Sequence, residues 1–141
     1  MPPVAELDDA ASAKAVFGDT LTGSIDARLS VFIRWLMAGT GAFAAFVADV
    51  EGLALANHNA PEGYVAAVGA LKRAQQDISR YAPFLLGGST TMEVDDHNIL
   101  QVVWADTSVG PLAVGLVLAG ALDHAMVARV RQLTRLAITS T

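Results

Sequence analysis

The chain has 141 residues, of which 53% are hydrophobic and 16% are charged. This length fits one domain. The charged fraction is well below the ~25% of an average globular protein, which excludes a disordered chain and predicts that a partner covers part of the surface. Fourteen acidic against nine basic residues give a net charge of −5, which argues against nucleic acid or an anionic membrane as the main partner. The lack of cysteine excludes disulfides, thiolate metal sites and cysteine nucleophiles.

Negative charge is concentrated in residues 1–26, which hold five acidic residues and one lysine. We predict that residues 1–23 form an acidic, loosely ordered arm with at most a short helix near residues 7–17, and that residues 24–141 form the domain. The arm lacks the basic and apolar segments of a signal peptide, and the longest uncharged stretch is shorter than the ~18 residues of a membrane span. The sequence therefore predicts a cytoplasmic protein.

The first helix of the predicted domain begins at Ser24, a typical N-cap residue, and ends near Gly39 and Gly41. Its apolar residues have helical spacing; they are Ile25, Leu29, Phe32, Ile33 and Leu36. Trp35 lies off this stripe. Either the helix is wedged between two other elements, or Trp35 anchors a partner.

A hairpin and a second helix follow. Residues 42–48 and 53–56 are short apolar segments on either side of the turn residues 49–52, which predicts two strands joined by a glycine-containing turn. The second helix, called the middle helix below, is predicted from residue 61 or 62 to residue 82, where Pro83 stops it.

The last part of the chain predicts another hairpin, a buried strand and a helix. The hairpin strands are residues 89–94 and 99–105, and the nearly continuous apolar segment 112–118 is typical of a central strand buried on both faces. The last helix begins at Asp123. The order α-β-β-α-β-β-β-α with short connections predicts an α+β fold, in which a five-stranded antiparallel sheet has helices on both faces.

This order of elements resembles the roadblock and dynein light chain superfamily, small proteins with a profilin-like fold. The first hairpin adds to the resemblance, because the family commonly has an apolar strand, an Asp, a turn and a Gly before a second short apolar strand. Residues 45–56, AFVADVEGLALA, are similar to that segment. The resemblance covers approximately residues 24–138.

The resemblance implies a homodimer, or a heterodimer with a related roadblock subunit, in which the middle helix pairs with its counterpart and the third strand extends the sheet across both subunits. It implies no active site. It also implies that the protein binds a small Ras-like GTPase and modulates its nucleotide cycle or localisation as a regulator or scaffold.

The middle helix independently indicates a contact with a second helix. Its apolar sector is about 160° wide, whereas one contact with a sheet needs ~100°. The additional edge consists of alanines spaced three and four residues apart, which let another helix approach closely. The predicted dimer interface consists of Ala67, Ala70, Leu71, Ala74, Ile78 and Tyr81. The alternative is that the wide sector lies in a deeper groove of its own subunit.

Polar residues lie on the other side of the middle helix. They are either a solvated helix surface or a docking surface for an acidic partner, and the resemblance favours docking because a GTPase is expected near this helix. The predicted partner-binding residues are Lys72, Arg73, Gln76 and Arg80.

Residues that could support catalysis or metal binding are few. Asp95, Asp96 and His97 are consecutive in a predicted turn, where three side chains cannot all point at one ion. Asp49 and Glu51 could transfer protons, but they flank a turn. We therefore expect no cofactor, no metal and no enzymatic activity. An alternative function is a small-ligand sensor of profilin-like or PAS-like architecture, with the ligand between sheet and helices.

Overall fold

The computed structural model describes residues 9–18, 23–81 and 89–138. Within these ranges the chain forms four helices and five strands. In chain order they are α1 (Asp9–Phe17), α2 (Ile25–Thr40), β1 (Ala44–Asp49), β2 (Ala54–His58), α3 (Glu62–Ser79), β3 (Ser89–Glu93), β4 (Ile99–Thr107), β5 (Gly110–Leu118) and α4 (His124–Ile138). The middle helix of the sequence analysis is α3, and Ala82, its predicted last residue, lies outside the described residues.

The five strands form one antiparallel sheet in the order β2-β1-β5-β4-β3. The predicted α+β fold with an antiparallel sheet is therefore confirmed. β5 is the central strand, as its continuous apolar sequence predicted, and seven consecutive residues of it are buried. It pairs with β1 on one side and β4 on the other, and Phe46 of β1 lies opposite Gly115.

Helices cover both faces of the sheet, which confirms the predicted three layers. On one face, α1, α2 and α4 enclose an apolar cluster centred on Phe32, Leu116 and Leu133, each at most 1% exposed. On the other face, α3 packs on a smaller cluster that includes Phe46 and Val102.

α2 has the ends that its sequence predicted. The Ser24 hydroxyl accepts a hydrogen bond from the Ala27 N–H at 3.1 Å, and Gly41 closes the helix in the left-handed conformation with φ +71°. Trp35 is half-buried and stacks on Phe32 with ring centroids 6.4 Å apart. Trp35 thus packs within its own subunit, because α2 is wedged between the sheet and neighbouring helices.

Part of the predicted N-terminal arm packs on the domain. Residues 9–17 form α1, which contacts α2 and α4, and Ala13 and Phe17 are 8% and 3% exposed in the larger cluster. The reason is that Phe17 supplies enough apolar surface to hold this one short helix on the core. The described core therefore begins before Ser24, while residues 1–8 and 19–22 lie outside the described part of the chain.

Candidate protein-binding surfaces

The β1–β2 turn brings α3 close to the sheet. Asp49 Oδ1 accepts hydrogen bonds from the N–H groups of Glu51 at 2.9 Å and Leu53 at 3.0 Å, which fixes the turn. Gly52 has φ +87°, and a Cβ there would lie 3.1 Å from the Cα and the carbonyl oxygen of Ala66. Glycine is therefore required at this point for the turn to meet the helix backbone.

A second glycine completes this contact from the helix side. A Cβ on Gly69 would lie 3.3 Å from the carbonyl oxygen of Glu51. The residues of α3 that are fully buried are Val65, Val68 and Gly69. The helix thus meets the sheet along a narrow line. Tyr64 and Leu71 are partly buried against the same core cluster, and the rest of the apolar sector is more exposed.

That remaining sector is the surface on which the sequence placed the dimer interface. Ala70 and Ala74 are exposed, and Ala67 and Leu71 are half-buried. At the C-terminal end, Ile78 is 49% exposed and Tyr81 is 87% exposed. We call these six residues the apolar face of α3: Ala67, Ala70, Leu71, Ala74, Ile78 and Tyr81. The first five lie along one side of the helix, away from the buried Val65, and Tyr81 follows two residues beyond the last helical residue, Ser79.

On the other side of α3 from the apolar face, the helix borders a polar groove of about 280 Å³. Three predicted partner-binding residues, Lys72, Arg73 and Gln76, line it from the helix. Its other wall is the β1–β2 turn and the start of β5, and is formed by Val50, Glu51 and Pro111. We call this site the basic groove, since it holds two basic groups and one carboxylate.

The four predicted partner-binding side chains differ in their contacts. Lys72 is half-buried, with its Nζ 5.1 Å from the centre of the Trp104 ring, a cation–π distance. The Trp104 indole N–H is buried and has no hydrogen-bond partner among the described residues. Arg80 does not line the groove; it forms an exposed salt bridge with Asp77 at 3.6 Å. The structure therefore brings three of the four residues together.

The residues considered for metal binding form a turn. Asp95 accepts hydrogen bonds from the N–H groups of His97 and Asn98, both at 2.8 Å, and from the Asn98 side chain at 3.0 Å. The Asn98 side chain, followed by the His97 backbone N–H, holds the pKa of Asp95 below its usual value of 3.8. Among the described residues, no three His, Cys, Asp or Glu side chains are grouped so that they could hold a metal ion.

None of the described helices is both long enough and apolar enough to span a bilayer.

Sequence reasoning missed the far wall of the basic groove. Pro111 is 38 residues from Arg73 along the chain, and no local pattern indicates that β5 begins beside α3. The sequence weakly indicated the position of Glu51, because the glycine that follows it in the turn allows a close approach to another backbone segment.

The sheet order, with α3 on one face and the other described helices on the opposite face, defines the class: the protein has the roadblock fold. It is similar to the gliding protein MglB from Thermus thermophilus, with a TM-score of 0.64 and 18% identity over 82% of this chain and 92% of that chain. An MglB structure with a tetrameric arrangement gives the same score and identity over 82% and 89%.

The roadblock/LC7 domain from Streptomyces avermitilis is also similar, with a TM-score of 0.54 and 15% identity over 75% of this chain and 88% of that domain. No family model and no curated protein matches the sequence. The likeness is therefore one of fold, at sequence identities below 20%.

Proposed function

We propose that the protein is a non-enzymatic regulator or scaffold that forms a dimer through the apolar face of α3 and binds a small Ras-like GTPase. The observation that carries the proposal is the apolar face of α3, whose residues are exposed or half-buried. Large apolar side chains rarely stay exposed together on a monomer, yet Ile78 and Tyr81 do so beside exposed alanines.

The apolar face has the shape that helix pairing needs. Alanines at positions 67, 70 and 74 let two helix backbones approach to about 8 Å, while the larger Ile78 and Tyr81 provide anchors at one end. The edge strand β3 lies in reach of the same partner, because Gln75 Nε2 donates a 2.8 Å hydrogen bond to Thr90 Oγ1 and ties α3 to β3. A fold neighbour, MglB, occurs in a tetrameric arrangement, which supports self-association within this fold.

The basic groove supports the binding of a partner with an acidic surface. It gathers Lys72 and Arg73 on a protein whose net charge is −5, so it is a local positive region on an acidic molecule. The resemblance to roadblock proteins supplies the class of partner, a small Ras-like GTPase. In this proposal the protein changes the conformation or location of the GTPase and contributes no catalytic side chain.

The alternative of a ligand sensor has no specific support in the described part of the chain. The basic groove is open to solvent. On the α3 side the centre of the sheet is tightly filled, since Phe46 leaves no space for even one methyl group on Gly115.

Self-association is tested by light scattering over a range of protein concentrations. We expect a mass about twice 14.7 kDa for the wild type and a folded monomer for Ala70→Glu. Ala125→Glu is the matched control, because it places the same charge on an exposed alanine of another helix. A wild type that is monomeric at every concentration, or an Ala70→Glu variant that stays dimeric, would refute the proposed interface.

GTPase binding is tested with the small Ras-like GTPases encoded in the same genome, each loaded with GDP or with a GTP analogue. The double variant Arg73→Glu and Arg80→Glu should bind at least about tenfold more weakly and keep the wild-type mass. Lys14→Glu, at an exposed position on α1 outside the proposed surfaces, is the control for charge reversal. If no such GTPase binds the intact dimer, the GTPase part of the proposal is wrong and the dimer remains.

A further inference from the structure

The edge strand β2 has an outer side that no described element covers. The sheet order places β2 at one end, and it pairs with β1 alone among the described strands. Natural edge strands are commonly protected by lysine, proline or a bulge. β2 contains neither lysine nor proline, and its one irregularity lies opposite Val47 and Ala48, near Leu55. The section from Ala56 to His58 is regular and open for backbone pairing.

A groove runs beside this section, between β2 and α2. It consists of two adjoining hollows of about 330 Å³ each. From the strand, Ala56 and His58 line it; their cross-strand partners are Val47 and Ala45, so both face the α2 side of the sheet. From the helix, the lining residues are Ser30, Ile33, Arg34, Met37 and Ala38. The groove is mainly apolar and lies directly next to the open strand.

The charge of the groove indicates what binds there. Arg34 is exposed at its rim, and within the described part of the chain it forms no salt bridge. Among the described residues no carboxylate lines either hollow, although the protein as a whole is acidic. A ligand that fits this groove is therefore apolar at some positions and carries a negative charge near Arg34.

We propose that β2 and the α2–β2 groove bind an extended, acidic segment of a partner protein. The segment adds to the sheet as a strand next to β2, places every second side chain in the groove and sets a carboxylate against Arg34. A second copy of this chain fits less well. Symmetric pairing of two β2 strands would bring two Arg34 side chains close together, and their like charges would repel.

This site is separate from the surfaces of the proposed function. β2 and β3 are at opposite edges of the sheet, and the apolar face of α3 lies on the other side of the sheet from α2. Segment binding at β2 therefore does not compete with dimer formation, and one can be lost without the other.

The test begins with a phage-displayed library of random peptides selected on the wild-type protein, with counter-selection on Arg34→Glu. We expect enriched peptides in which apolar residues alternate and at least one aspartate or glutamate is present. Synthetic versions are then measured by fluorescence anisotropy. Methylation of alternate peptide nitrogens, which blocks strand pairing and keeps the side chains, should weaken binding at least about tenfold.

Two variants make the result specific. Arg34→Glu should weaken binding at least about tenfold, and Arg73→Glu, the same change on α3, should leave it unaltered. Ala70→Glu should also bind normally, which separates this site from the dimer interface. The proposal is overturned if no peptide family depends on Arg34, if N-methylation has no effect, or if the Ala70→Glu protein itself associates through β2.

Discussion

Replacement of Gly115 by alanine tests whether the centre of the sheet is as tightly filled as its geometry indicates. Gly115 lies in β5 opposite Phe46 of β1, and the Phe46 ring is fully buried. A Cβ on Gly115 would lie 2.1 Å from Phe46 Cζ and 2.3 Å from Cε1. Ordinary contacts of a Cβ begin at 3.4 Å, so the ring would have to withdraw by more than 1 Å into neighbours that are themselves buried.

The expected cost follows from two opposing effects. Overpacking of a filled core costs about 1–3 kcal/mol, and the size of this overlap places the variant at about 3 kcal/mol. Alanine gains about 0.5–1 kcal/mol over glycine in a strand because it restricts the unfolded chain. Gly115→Ala should therefore lower the free energy of unfolding by about 2–2.5 kcal/mol, a large part of the about 5–15 kcal/mol of a typical domain.

Urea unfolding followed by circular dichroism measures this loss, with all variants at one protein concentration because a dimer unfolds with concentration dependence. Phe46→Leu supplies the control. By itself it costs about 1–2 kcal/mol, and in the double variant the smaller side chain leaves space for the new methyl group. The double variant should lose less free energy of unfolding than the two single variants together, by at least about 1 kcal/mol. A Gly115→Ala protein within about 0.5 kcal/mol of the wild type would refute the reasoning.

Three further predictions concern buried and turn side chains. Arg28 is 4% exposed, and its Nε donates a 2.7 Å hydrogen bond to the carbonyl oxygen of Ala137. Arg28→Met should therefore lower the free energy of unfolding in urea by about 3 kcal/mol. A variant as stable as the wild type would contradict this role. Asp49→Ala removes the acceptor of two turn N–H groups and should cost about 1 kcal/mol, whereas Asp49→Asn keeps an acceptor oxygen and should cost less; equal losses would contradict the turn geometry. Because the pKa of Asp95 is lowered on folding, its carboxylate stabilises the protein above pH 3.8 and this contribution is lost as the pH falls through the folded-state value. The free energy of unfolding, measured from about pH 5 to pH 3, should thus fall less steeply for Asp95→Ala than for the wild type, and identical slopes would count against this role.

Local sequence patterns predicted most of the fold. The capped helix α2, the turn at Asp49 and the central position of β5 each depend on short-range rules: a hydroxyl at an N-cap, a carboxylate that accepts turn amides, and a continuous apolar strand. Such features arise within a few residues, so the sequence contains their cause.

The packing of α3 was predicted less accurately. The sequence predicted an apolar sector about 160° wide on this helix but did not show which part of it meets the sheet, and the structure buries Val65, Val68 and Gly69. A hydrophobic wheel gives glycine no weight, so it does not show that Gly69 lets the turn approach. The basic groove was not predicted for a similar reason. Its two walls are distant in the sequence, and only the order of the strands in the sheet brings them together.

The pairing of β1 with β5 also determines when the protein can complete its fold. Asp49 pairs with Leu112 and Ala44 pairs with Val117, partners that are 63 and 73 residues apart in the chain. The β1–β2 hairpin and the β3–β4–β5 meander can each form locally, but the ladder between them requires closure of a long loop, which slows folding. During synthesis, β1 is made before its partner β5, and until β5 pairs with it the apolar side chain of Phe46 is not covered by that strand. We therefore expect the nascent chain to expose this apolar surface from the emergence of its first hairpin until that of its central strand.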